Sequence, residues 1–264
     1  MSLMSVVTER ERRAAPAAPP AGVRRAWGWC CGAAGFLTQH GWIPLASLLV
    51  AGVAAFAFLT LADEVVEGET LSFDKVVFNA IAGRYVGLDP FWQEVGRDLT
   101  ALGGTAVVTL MTAGVTPFLV FRRQWRSAAF VFVAVVGGLL INLGLKAWFN
   151  RDRPDLFAHG SHTMTASFPS GHSANAAVAY LAMAILLAKL VESVRMKAYV
   201  LGVGLLIPLL VGLSRVALAV HWPTDVVGGW LVGLTWGLLV YAAATYLQRR
   251  GKIEPEGELA AGAA

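Results

Sequence analysis

An all-α fold, a six-helix transmembrane bundle, is what this sequence predicts, on three observations: its composition, its apolar runs and the placement of its cations. The chain has 264 residues, 56% of them hydrophobic and only 14% charged, with a mean hydropathy of +0.61. That length leaves room for one or two domains, but the balance is too apolar for an ordinary soluble protein. The net charge of +4 excludes little, because in a membrane protein the location of charge matters more than its sum.

The apolar runs fall at roughly 43–62, 99–121, 127–145, 172–190, 198–215 and 224–247. Each approaches or exceeds the roughly 20 residues that cross a hydrocarbon core. The first contains no charge. The fourth opens with Ser173 and Asn175 among alanines, and the fifth carries Pro208. Such residues are accommodated where they face other helices.

Fourteen of the 21 Lys and Arg residues fall on one side of this layout: the N-terminal tail, Arg122 to Arg126, Lys189 to Lys197, and the stretch from Arg249 onward. The opposite side holds seven, and its long loop over 63–98 is acidic. Both termini are therefore expected in the cytoplasm, which an even number of spans allows. The same loop carries Phe73, Val76, Val77, Phe78, Ile81, Tyr85, Phe91 and Trp92. That spacing predicts one or two amphipathic helices on the outer surface, as a lid or as a simple cap over the bundle.

The domain plan follows. Residues 1–42 form a cytoplasmic tail, Ala-, Pro- and Arg-rich and expected to be disordered to about residue 26, then interfacial where tryptophans gather. Residues 43–247 form the six-span domain, and 248–264 a second cytoplasmic tail. The apolar core of a secretory signal is missing after the basic start. Cys30 and Cys31 are the only cysteines and read as packing residues, with no disulfide or metal spacing around them.

Three polar clusters fall on one side of the membrane in this layout. Ser214 to Asp225 reads SRVALAVHWPTD between two apolar runs. Arg215 offers a planar fork of donors matched to phosphate oxygens. His221 is a potential nucleophile if a partner fixes its tautomer, and Asp225 is close enough in sequence to be that partner. Pro223 favours a first helical turn, which would set His221 just outside the helix mouth. Lys146 and Arg153 are two cations with a flexible spacer, fit to grip separate phosphate oxygens or to anchor at lipid headgroups. Ser170 and Gly171 open the fourth span, where free amides and the helix dipole favour an anion, though the turn could serve only as a cap. His172 beside them is placed to give a proton to a leaving oxygen. Arg151, Asp152 and Asp155 read as solvated loop charges. His159 and His162 read as exposed, and His40 lies on the other side. Asn142 and Asn175 read as bonding between helices.

Lys146-x6-Arg153-Pro154, Pro169-Ser170-Gly171-His172 and Ser214-Arg215-x5-His221-x3-Asp225, in that order, resemble the three-part motif of the phosphatidic acid phosphatase type 2 / haloperoxidase superfamily. The motifs cover residues 146 to 225, and the six spans extend the likeness over most of the chain. The resemblance implies an integral lipid phosphatase of a bacterial inner membrane, working on the extracytoplasmic face. His221 would attack phosphorus to form a phosphohistidine, Asp225 would orient its ring, and His172 would protonate the leaving alkoxide and then activate water. Lys146, Arg153, Ser170, Gly171 and Arg215 would hold the phosphoryl oxygens. The implied partners are the membrane and a lipid phosphate, with no nucleic acid, metal or cofactor. Phosphatidate, phosphatidylglycerophosphate and undecaprenyl pyrophosphate all fit. A vanadium-dependent haloperoxidase and a non-catalytic lipid-binding or transport protein are the alternatives.

Overall fold

The computed structural model describes residues 42–155 and 166–249. The two tails, apart from Trp42 and the end of the last helix, lie outside the described residues. So do Cys30, Cys31, His40, His159 and His162. Eight helices follow one another in the described residues: α1 (Trp42–Glu67), α2 (Leu71–Val86), α3 (Pro90–Ala101), α4 (Thr105–Phe121), α5 (Trp125–Phe149), α6 (Gly171–Leu190), α7 (Val194–Ala217) and α8 (Pro223–Arg249). Among them no strand occurs. Five helices are long and apolar enough to cross a membrane, and the count is six where the bent pair α3–α4 is taken as one broken span. The chain is a multi-span all-α membrane protein, as its composition predicts.

The run expected as one continuous span over 99–121 is broken. Helices α3 and α4 meet at 47°, with Gly103 and Gly104 between them. A Cβ on Gly103 would stand 2.5 Å from the His172 carbonyl oxygen and equally close to Val211 Cγ1. The chain bends where only glycine lets its backbone pass so near the start of α6. An average of hydropathy over the run is blind to that contact.

Helix α6 is the centre of the bundle, packing against α5, α7 and α8. It buries Ala174, Ala176, Ala177, Ala179 and Ala182, and Gly233 of α8 comes so close that a Cβ there would lie 2.7 Å from the Ala174 carbonyl and the Ala177 methyl. Between membrane helices, such close approach of small residues supplies the packing that water cannot drive. Val108, Val131, Val178 and Val240 complete the core of this half. Leu49, Phe56, Leu110, Phe121 and Leu205 point outward and exposed, the pattern of a surface bathed in lipid.

Two further contacts position the site. Phe58 of α1 stacks on Phe168 at 5.8 Å, and Phe149 meets the same ring edge-on at 5.0 Å. These rings pin the segment that leads into α6. Helix α2 lays Phe78 and Ala82, both fully buried, on Val216, Ala219, Trp222 and Val226. The loop predicted as an outer helical layer is thus built into the turn that carries His221.

Candidate active site

The site is assembled where α5, α6 and α8 begin or end on one side of the bundle. Helix α5 reaches Lys146 in its last turn and stops at Asn150, which takes left-handed dihedrals of φ 44°, ψ 39° and donates its N–H to the Lys146 carbonyl at 3.1 Å. Asparagine tolerates that conformation better than most residues. The reversal carries Arg151 and Arg153 back across the end of the bundle. Lys146 Nζ donates to the Ala166 carbonyl at 2.6 Å, and Arg153 Nη2 reaches the same oxygen at 3.4 Å. Arg153 Nη1 donates to the Val220 carbonyl at 2.6 Å and lies 3.2 Å from His221 Nε2.

Ser170 is the N-cap of α6. Its own N–H donates to the Asp225 carbonyl at 2.8 Å, and its Oγ accepts from Ser173 Oγ at 3.0 Å. Gly171 and His172 occupy the first turn, where amides have no intrahelical acceptor. A Cβ on Gly171 would lie 3.2 Å from Asn142 Oδ1 and 3.5 Å from Lys146 Cε, so α5 and this helix start touch. The interhelical bond expected of Asn142 is not made by its Nδ2, which is buried without a hydrogen-bond partner among the described residues.

Helix α7 carries Arg215 in its last turn, only 2% exposed. Arg215 Nη1 donates to Thr100 Oγ1 of α3 at 3.0 Å, while its buried Nε has no hydrogen-bond partner among the described residues. Ala219 then adopts φ 59°, a left-handed turn that costs a non-glycine residue about 1–2 kcal/mol. The turn throws His221 inward. Its Nδ1 stands 3.3 Å from Asp225 Oδ2, which also accepts the Trp222 N–H at 2.9 Å. Pro223 opens α8 and Asp225 lies in its first turn, as the local sequence predicts. With Nδ1–H donated to Asp225, His221 Nε2 keeps its lone pair on the side of Arg153.

Burial, and then the charges of Arg215, Arg153 and Lys146, push the His221 pKa well below its ordinary 6.5. Its imidazole is therefore neutral at neutral pH, the form a nucleophile needs. His172 lies in the field of the same groups, Arg215, His221, Lys146 and Arg153. A Cβ on Gly104 would come within 3.7 Å of His172 Nε2, so α4 begins against this ring. All eight residues singled out in the sequence (Lys146, Arg153, Ser170, Gly171, His172, Arg215, His221 and Asp225) fall in this one neighbourhood. No group of three His, Cys, Asp or Glu side chains that could hold a metal ion occurs among the described residues.

Arg151 corrects its expectation. Asp152 and Asp155 are exposed, as solvated loop charges should be, but the Arg151 side chain is buried to 14% exposure between two carboxylates with none. Its Nη1 donates to Asp225 Oδ1 and its Nη2 to Asp74 Oδ2, each at 2.7 Å. Asp74, in α2, also accepts from the Thr224 N–H at 2.9 Å and from Thr224 Oγ1 at 2.6 Å. Sequence reasoning passed over Asp74 as one acidic loop charge. The available signal was its register: Asp74, Phe78 and Ala82 recur every four residues, so the carboxylate lies on the buried face.

Comparison with known proteins agrees with this geometry. The sequence pattern of the PAP2 superfamily matches residues 126–249. Phosphatidylglycerophosphatase B of Bacillus subtilis is 36% identical over 191 residues, covering 69% of this chain and 89% of that protein. A lipid A 1-phosphatase of Rhizobium etli is 33% identical over 194 residues, 62% of this chain and 77% of the relative. The crystal structure of the transmembrane PAP2-type phosphatidylglycerolphosphate phosphatase from Bacillus subtilis superposes with a TM-score of 0.67 at 31% identity, over 79% of this chain and 98% of that one. With its motifs, bundle and relatives in agreement, the chain belongs to the PAP2 superfamily and is a membrane phosphatase.

Proposed function

We propose that this phosphatase hydrolyses a lipid phosphomonoester or pyrophosphate through a phosphohistidine intermediate, without a metal ion. The observation that carries the reading is a neutral His221 whose Nε2 faces Arg153 in a cluster of cations, one of which, Arg215, has a buried N–H with no partner among the described residues. A phosphoryl group entering there accepts from Arg215 and draws Arg153 off the His221 lone pair. Nε2 then attacks phosphorus as the bond to the lipid oxygen breaks, and His172 gives its proton to that oxygen. In the second step His172 takes a proton from water, the water oxygen bonds to phosphorus, and the N–P bond breaks to release phosphate. Asp225 offsets the positive charge on the His221 ring throughout. Lys146, Arg153, Arg215 and the amides after Ser170 hold the equatorial oxygens, the charge compensation a divalent cation gives elsewhere.

Among the three candidate lipids, phosphatidylglycerophosphate is favoured by the likeness to the Bacillus subtilis phosphatase that bears its name. The asymmetry of Lys and Arg supports a site on the extracytoplasmic face with both termini cytoplasmic. Phosphate release by detergent-solubilised protein, with EDTA present, tests the reading across phosphatidylglycerophosphate, phosphatidate and undecaprenyl pyrophosphate. Release should be fastest with the first, and brief reaction with labelled substrate should leave an acid-labile phosphoenzyme that His221→Ala does not form. Turnover abolished by EDTA, or label persisting in His221→Ala, would overturn it.

A further inference from the structure

Behind the candidate nucleophile lies a chain of alternating charge whose far half, Arg151 and Asp74, has no part in the reaction scheme above. His221 Nδ1 meets Asp225 at 3.3 Å, Asp225 meets Arg151 at 2.7 Å, and Arg151 meets Asp74 at 2.7 Å. Both carboxylates are fully buried. Asp74 is held by two further bonds from Thr224, which is the residue beside Asp225 on α8. Arg151 also packs over the Trp222 ring at 5.9 Å. Phe78 and Ala82, one and two turns after Asp74 on α2, pack in one cluster with Ala219 and Trp222 of the His221 turn.

We propose that Asp74 is a positioning residue for the nucleophile: a countercharge that holds Arg151 and leaves the Asp225 carboxylate able to offset the charge arising on His221. The proposal rests on the phosphohistidine reading. Arg151 alone would tie Asp225 in place but cancel its charge, at the moment the imidazole turns cationic. Asp74 restores the balance: with a neutral His221 the four groups sum to minus one, and after attack they sum to zero. Without Asp74 they would go from zero to plus one in a buried setting where charge is weakly screened. The layer formed by α2 is then part of the reacting machinery, held against it by ions as well as by packing.

Asp74→Asn keeps the shape of the side chain and removes its charge. In solubilised protein it should lower kcat about 10-fold with KM within about 2-fold, since the substrate does not touch Asp74. Adding Arg151→Gln removes the cation that has lost its partner, so the double variant should be at least as active as Asp74→Asn alone. Two sites acting independently would instead give losses that add, and a merely structural pair would not confine the loss to kcat. If Asp74→Asn does not accumulate as folded protein, Thr224→Val strips one donor from the same carboxylate and should lower kcat about 3-fold with KM held. Unchanged kcat in the single variant, or additive loss in the double, overturns the proposal. Failure of the unaltered protein to form a phosphoenzyme would instead overturn the mechanism on which it rests.

Discussion

Two layers of buried charge flank the His221 ring, and they differ in how far the protein satisfies its own groups. Behind the ring, Arg151 spends both terminal nitrogens on Asp74, Asp225 and Thr224, and each carboxylate collects bonds from several donors. In front, Arg215 is more deeply buried yet its Nε has no partner among the described residues, and Arg153 shares one nitrogen between a carbonyl and the His221 lone pair. Burying a charge is costly unless it is paired. A saturated layer is therefore what a fold needs to fix geometry, and an under-supplied layer is what it needs to receive an anion. The two guanidiniums Arg151 and Arg153 are separated by one residue, yet Arg151 faces carboxylates behind the ring and Arg153 faces the His221 lone pair in front.

Changes that strike the point where the layers meet should cost most. His221→Ala removes the attacking nitrogen and should lower kcat by at least about 10³-fold while the protein still inserts and elutes as the native form. Turnover within 10-fold of the unaltered protein would remove the nucleophile from the front layer. Arg215→Lys should come next. A single ammonium cannot present the planar fork or reach Thr100 and a phosphate oxygen together, so kcat/KM should fall by about 10²-fold, as when one transition-state donor is lost. A loss no larger than the Asp74 effect would mean that Arg215 belongs with the saturated layer.

The front layer was legible in the sequence because its residues sit at helix ends in a fixed order. Lys146, Arg153, Ser170, Gly171, His172, Arg215 and His221, with Asp225 behind them, could be singled out from residue type and spacing, while headgroup anchoring and simple capping stayed open until the resemblance to the superfamily was added. The helices were legible too, since apolar runs of spanning length leave few alternatives. The back layer was not. Asp74 and Arg151 are 77 positions apart, and a pairing across that distance leaves no local trace except that Asp74 shares a face with Phe78. The kink between α3 and α4 escaped for a related reason: it answers to the close approach of Gly103 to His172, not to any property of its own run.

A smaller effect separates the layers by pH. His221 titrates well below its ordinary range in the folded protein, so between that depressed value and about 6.5 the unfolded chain binds a proton that the folded chain does not. Stability contributed by this group is present above about 6.5 and is lost as pH falls below it. The slope is at most about 1.4 kcal/mol per pH unit. Replacing His221 by Gln, which keeps a polar group of similar reach, should flatten the fall in thermal midpoint between about pH 6.5 and 5. An unchanged slope would mean that burial and the cations of the front layer do not hold the ring neutral.

The smallest expected effect is at Asp152, which lies between the two arginines in sequence but in neither layer in space. Its side chain is exposed, and what the site uses is its backbone carbonyl, which accepts from Ser167 Oγ at 2.9 Å and Trp222 Nε1 at 3.3 Å. Asp152→Asn leaves that carbonyl in place, and a charge facing solvent is screened from the buried ring. Its kcat and KM should stay within about 2-fold of the unaltered protein. A 10-fold loss would show that the carboxylate reaches into the front layer, and division of the site into a filled and an unfilled half would then have to be redrawn around Arg153.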